Sequence, residues 1–179
     1  MNTRDAACDD LLRSRQRGVA PFSRGIILDW YDGPVTGALQ CGAAPEVYAF
    51  HMVAWDDRQR SRIYALRRLP ADAFARLLRA LASAGEPRWP WWAPMRFPSE
   101  ADREQAWAGA DEILEKAGNV EYIILSDDIF SSVERVRTVG DEEQPRIQTL
   151  IRSSPSDADG YTYSEATFDE WLAVVQESV

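Results

Sequence analysis

One histidine and a handful of paired acids are the residues of this chain whose types could do chemistry. The histidine is His51, and the acids are Asp29 with Asp32, Asp56 with Asp57, Asp127 with Asp128, and Asp141 with Glu142 and Glu143. A histidine can be tuned across neutral pH to move protons. Carboxylates converging on one point hold hard cations such as Mg²⁺ or Ca²⁺. Asp127 and Asp128 are the best placed, because they follow Asn119–Leu125 (NVEYIIL), an apolar run that reads as a buried strand with a rigid end. A small hydrolase or transferase using Asp127, Asp128 and His51 is therefore one reading. Against it, no Ser or Cys nucleophile stands in a recognisable local motif, and no acidic group matches the calcium-loop spacing D-x-[DN]-x-[DN]-G. Glycines 33, 37 and 42 belong to turns and a strand, not to a phosphate-binding loop. His51 alternates with Val47, Ala49, Val53 and Trp55 on one strand face, so it is expected to be buried, hydrogen-bonded and structural. The acids are expected at turns, caps and the solvated surface. No catalytic residue, metal or cofactor is assigned.

The less common feature is aromatic. Seven of the nineteen aromatic residues are Trp, and three of them, Trp89, Trp91 and Trp92, crowd into a loop stiffened by Pro90, Pro94 and Pro98. Such rings bring large contact area at small entropic cost and are enriched at interaction hot spots. The same rings could simply roof the sheet or seal the gap between helices. The net charge of −9 argues against a nucleic-acid partner, since phosphate binding is driven by Lys and Arg. Arg13, Arg15 and Arg17 make too small a basic cluster to change that. Cys8 and Cys41 suggest neither a disulfide framework nor a zinc site. No apolar run reaches membrane-spanning length and the N-terminus lacks a signal peptide's apolar core, so a cytoplasmic protein with no membrane contact is expected. The leading reading is a non-enzymatic, acidic protein-binding domain, of immunity or antitoxin type. Its binding residues are Trp89, Trp91, Trp92, Asp29 and Asp32, on the aromatic loop and acidic sheet edges. The expected partner is another protein, a basic one, with a homo-oligomer as the other option; the carboxylate-dependent hydrolase or transferase is the alternative function.

The elements that must position these residues start with Arg24–Pro70. Ile26–Tyr31, Val35–Cys41, Val47–Trp55 and Arg62–Arg68 are β-favouring runs separated by polar breaks, and together they predict a four-stranded antiparallel meander. Asp32-Gly33 is a hairpin signal that needs positive φ at Gly33, and Pro34 suits the start of a strand. The Val47–Trp55 run is apolar on both faces, the pattern of a central strand. Phe74, Leu77, Leu78 and Leu81 then fall at helical spacing, between Pro70 and a Gly85 cap. Ser99 with Asp102 caps a second helix, with Ala106, Ala110 and Ile113 on its inner face. Residues 129–139 fit a short turn followed by a strand, and Ile147–Ile151 a further short strand. Thr167 and Glu170 cap a last helix from Phe168 to about Gln176. The fold class is α+β: an antiparallel β-meander sheet with about three helices packed against it. Residues 1–23 read as a mobile N-terminal arm, and 24–179 as a single α+β domain.

The segment Tyr31-Asp32-Gly33-Pro34 with Gly37, followed by Cys41, Tyr48, Phe50 and Trp55, resembles uncharacterised bacterial proteins with a YDGPxxG hairpin near the start. The resemblance covers residues 26–70. It implies a bacterial, cytoplasmic setting and carries over no activity and no site residues.

Overall fold

Six runs rich in β-branched and aromatic residues pair in the order in which they occur. They are β1 (Phe22–Trp30), β2 (Pro34–Cys41), β3 (Val47–Asp56), β4 (Ser61–Arg68), β5 (Val120–Asp127) and β6 (Val133–Thr138). All neighbours are antiparallel, giving one open six-stranded meander in the order β1-β2-β3-β4-β5-β6. The computed structural model describes residues 22–30, 33–41, 46–82, 97–127, 131–153 and 165–177. Among these, the helices are α1 (Ala73–Ala80), α2 (Glu100–Leu114), α3 (Gln144–Ser153) and α4 (Glu165–Gln176). The α+β meander expected from the sequence is the observed fold. Residues 1–21 of the expected arm lie outside the described residues, and β1 begins at Phe22, inside the stretch assigned to that arm.

All four helices lie on one face of the sheet, over two cores. Ile26, Ala38, Val47 and Ala49 pack with Leu77 of α1 and with Ala106, Ala110 and Ile113 of α2. Ile63, Ala65, Ile123 and Leu125 pack with Ile147 of α3 and with Phe168, Trp171 and Val174 of α4. The other face carries a third core made, among the described residues, of strand side chains alone. It is strongly aromatic: Tyr48 meets Tyr122 edge-on at 5.6 Å, and Phe50 meets Tyr64 at 5.8 Å. A buried phenol needs a partner for its hydroxyl, and Tyr64 donates to the Pro34 carbonyl at 2.9 Å.

Two local devices make this packing work. Gly37 pairs with Phe50, and a Cβ at Gly37 would stand 2.0 Å from the Ile26 carbonyl and 2.9 Å from the Phe50 ring. Only a residue without a side chain lets the ring lie across β2. The second device is an irregularity in β3 between Met52 and Ala54. Val53 and Ala54 both join the helix-side core, and the alternation resumes with Trp55 on the strand-only face. A bulge inserts one residue and so reverses every side chain beyond it. His51 therefore shares its face with Val47, Ala49 and Val53 as expected, but not with Trp55.

Helix ends follow their capping chemistry. The Ser99 hydroxyl accepts the Asp102 N–H at 3.2 Å and starts α2. The expected strand Ile147–Ile151 is instead the middle of α3. Ile147, Leu150 and Ile151 also fit helical spacing, and the start settles the choice: the Glu143 carboxylate accepts the Gly140 N–H at 3.1 Å, while Pro145 sits in the first turn, where its missing N–H is harmless. The last helix starts at Glu165, so Thr167 lies within its first turn and does not cap it. Residues 133–138 are a strand, as the alternation suggests. Gly33 has φ 153°, on the positive side that glycine tolerates. Trp30 pairs with Pro34, leaving three residues in that connection, of which Tyr31 and Asp32 lie outside the described set.

Gly37→Ala forces a backbone carbonyl and a core ring aside, so denaturant unfolding is expected to show a loss of about 2–3 kcal/mol, the upper range for overpacking. Gly109→Ala on α2 meets only the Ala80 methyl, at 3.3 Å. Its gain in helix propensity, about 1 kcal/mol, offsets that contact and should leave stability close to wild type. The reverse ranking of the two variants would contradict the packing described for β2.

Candidate functional site

β3 is buried along its whole length except at His51. That residue stands in a row that crosses the sheet: Asp29 pairs with Thr36, Thr36 with His51, and His51 with Ala65. Arg67 pairs with Ala49, which makes it the diagonal neighbour of His51, with Cα atoms roughly 7–8 Å apart by ordinary sheet geometry. Above this part of the sheet the C-terminal end of α2 passes with Asp111, Leu114 and Glu115. Between floor and wall lies a hollow of about 260 Å³ lined by Thr36, Ala49, Phe50, His51, Arg67 and those three α2 residues.

The polar groups of this pit divide into satisfied and unsatisfied. The Thr36 hydroxyl donates to the Phe50 carbonyl at 3.2 Å, and the Asp29 carboxylate accepts the Trp30 N–H at 2.8 Å. The His51 ring has no hydrogen bond, and the Arg67 side chain no hydrogen bond or ion pair, among the described residues. Arg68, next in sequence but on the opposite face, is fully engaged. Its guanidinium forks onto Glu121 at 2.9 and 3.0 Å, donates to Tyr48 Oη at 3.1 Å and lies over the Tyr48 ring. The structural, hydrogen-bonded histidine expected from the sequence is thus corrected: His51 is only half-buried, and its ring borders an open hollow. Burial pushes its pKa below the ordinary 6.5, the Arg67 guanidinium lowers it further, and Asp29 opposes both. At neutral pH it is an uncharged imidazole, able to donate at one nitrogen and accept at the other. Burial also lowers the pKa of Arg67, which nevertheless stays charged, as guanidinium groups do.

The acidic groups do other work. The Asp127 carboxylate accepts the Ser131 N–H at 2.7 Å and the Ser132 N–H at 3.3 Å, tying the β5–β6 turn. It pairs with Ser61, four residues along β4 from the row of His51, or roughly 13 Å at strand rise. Asp56 holds the β3–β4 turn by accepting from Arg58 and Gln59 at 2.8 and 3.3 Å. Glu143 ties the single 3-10 turn Asp141–Glu143 that leads into α3 and pairs with Arg137. Asp127 and His51 are therefore not brought together, whereas Asp29 and His51 are. Asp32, Asp128, Trp89, Trp91 and Trp92 lie outside the described residues. Among the described residues, no three His, Cys, Asp or Glu side chains gather as a metal site, and no helix is long and apolar enough to cross a membrane.

Arg67, Asp111 and Glu115 carried no signal of their own in the sequence. Arg67 does share the alternating set Ile63, Ala65, Arg67, an inward set that ends in a charge, and that pattern could have drawn notice. No protein-family model matches the chain, and comparison with the curated proteins and with the solved structures found no match.

His51 links the pit to stability. A base whose pKa is lower in the folded state is protonated first in the unfolded chain as the pH falls, so it costs nothing well above 6.5 and destabilises progressively below it. Asp29, Arg67, Asp111 and Glu115, the charged groups around it, are shared by a His51→Asn variant. Urea unfolding at pH 7.5 and pH 5.5 should accordingly show wild type losing more stability than His51→Asn over that interval. Equal losses would mean that the ring is solvated like a free histidine.

Proposed function

We propose that the chain is a non-enzymatic, acidic binding domain of the bacterial cytoplasm whose partner is a basic protein. The observation that carries this reading is the outer side of α2 and its end. Glu100, Glu104, Asp111, Glu112 and Glu115 are exposed there, while both cations of the segment are already held. Arg103 pairs with Glu100 and lies 5.1 Å over the Trp107 ring, and Lys116 pairs with Glu112 at 3.0 Å. Exposed pairs of this kind add little stability, and they leave a surplus of negative charge facing solvent. Such a field speeds encounter with a positive surface and disfavours a negative one.

The proposed acidic surface is thus on a helix rather than on the sheet edges that the sequence suggested. The exposed positions of the β6 edge mix Glu134 with Arg135 and make no single-sign patch. An immunity or antitoxin role is one instance of binding a basic protein. A hydrolase or transferase would use Asp127, Asp128 and His51; Asp127 is engaged in the β5–β6 turn, and Asp128 lies outside the described residues.

The reading is tested by capture from a lysate with wild type and with Glu104→Lys/Glu112→Lys, at about 50 mM and about 500 mM salt, either side of strong screening. Wild type should retain a basic protein at low salt and release it at high salt, and the variant should fail to retain it. Retention of the same protein by the variant, or retention unaffected by salt, would remove the basis for the proposal.

A further inference from the structure

Opposite charges line the pit without pairing. Arg67 stands on the β4 floor, Asp111 and Glu115 on the α2 wall, and none of the three makes an ion pair among the described residues. Elsewhere the fold closes such pairs readily: Arg68 with Glu121, Lys116 with Glu112, Arg146 with Glu177. Here the hollow holds them apart. A half-buried guanidinium without a carboxylate is costly to desolvate, and the neutral His51 ring beside it offers both a donor and an acceptor.

We propose that this pit binds a small zwitterion of the free α-amino-acid class, with its carboxylate on Arg67 and His51 and its ammonium toward Asp111 and Glu115. A simple anion on Arg67 would face the two carboxylates of α2, and a simple cation beside those carboxylates would face Arg67. A molecule with both charges a few bonds apart matches both sides and adds no net charge. The guanidinium fork suits a carboxylate in particular, by two parallel hydrogen bonds. At about 260 Å³ the hollow is near the lower end for ligand sites, about 300 Å³, so the molecule is small. Leu114 and Ala49 give its side chain an apolar border. Asp111 and Glu115 border the pit and also belong to the acidic surface of α2, but binding in the pit is read without any basic partner, so the two readings fail separately.

The ring signal of His51, the chain's single histidine, reports on the pit directly when untagged protein is titrated by NMR. The probes are alanine, serine and leucine as free amino acids, with acetate and methylammonium as single-charge controls. A saturable shift with at least one amino acid, and a response at least about tenfold weaker with either control, is the expected result at ligand concentrations up to about 10 mM, the range of weak ligands. Arg67→Gln and, separately, Glu115→Gln should each weaken binding. Glu115 is exposed, so the second variant tests the contact without burdening the fold. No response to any amino acid, an equal response to acetate, or undiminished binding by Glu115→Gln would overturn the proposal.

Discussion

A strand covered on both faces has to fit every side chain into one core or the other, and β3 meets that demand at each position except His51. The rest of the sheet is arranged around this strand. Phe50 needs the bare backbone of Gly37 to lie flat across β2. The aromatic core that follows needs Tyr64 to reach the Pro34 carbonyl, since a buried hydroxyl left unpaired would cost about 1–3 kcal/mol. On the other face the helices supply two separate apolar cores. Where these do not merge, the floor is polar and the space above it stays open. The pit is thus a consequence of how the helix layer divides over a double-faced strand.

The distribution of charge follows the same logic. Arg68 and Arg67 are neighbours in sequence and therefore point to opposite faces. Arg68 finds Glu121 and the Tyr48 ring beside it, whereas the floor around Arg67 is made of Ala49, Thr36 and His51. In three of the four acidic groups of the chain one member closes a turn: Asp56 over Arg58 and Gln59, Asp127 over Ser131 and Ser132, Glu143 over Gly140. Short-range spacing of carboxylates thus reported turn chemistry, as Asx motifs commonly do. The groups that share a cavity come from separate elements.

Much of the scaffold was legible in the sequence because its signals are local. Alternation marked the strands, Ser99 with Asp102 marked the start of α2, and Pro34 marked a strand's first residue. Ile147–Ile151 misled because the same five residues satisfy both periods, and only Pro145 and the Glu143 turn break the tie. The pit was not legible, because the bulge at Val53 sets the register that builds it. Counting back from the turn that joins Asp56 to Ser61 without the bulge would set His51 against Leu66 and Arg67 against Phe50. With it, His51 faces Ala65 and Arg67 faces Ala49, which brings the imidazole and the guanidinium to one face. Nothing in Met52-Val53-Ala54 announces an extra residue. The contribution of α2 depends in turn on tertiary packing that no spacing rule reaches.

The central claim is that partial burial, and then Arg67, whose side chain has no partner among the described residues, hold His51 neutral at the edge of an open hollow. The most direct measurement is the NMR titration of the single histidine in untagged wild type and in Arg67→Gln. The account predicts a midpoint below 6.5 in wild type that rises in the variant, because the variant removes the neighbouring positive charge and leaves Asp29 in place. A wild-type midpoint at or above 6.5, or one that does not move in Arg67→Gln, would contradict it.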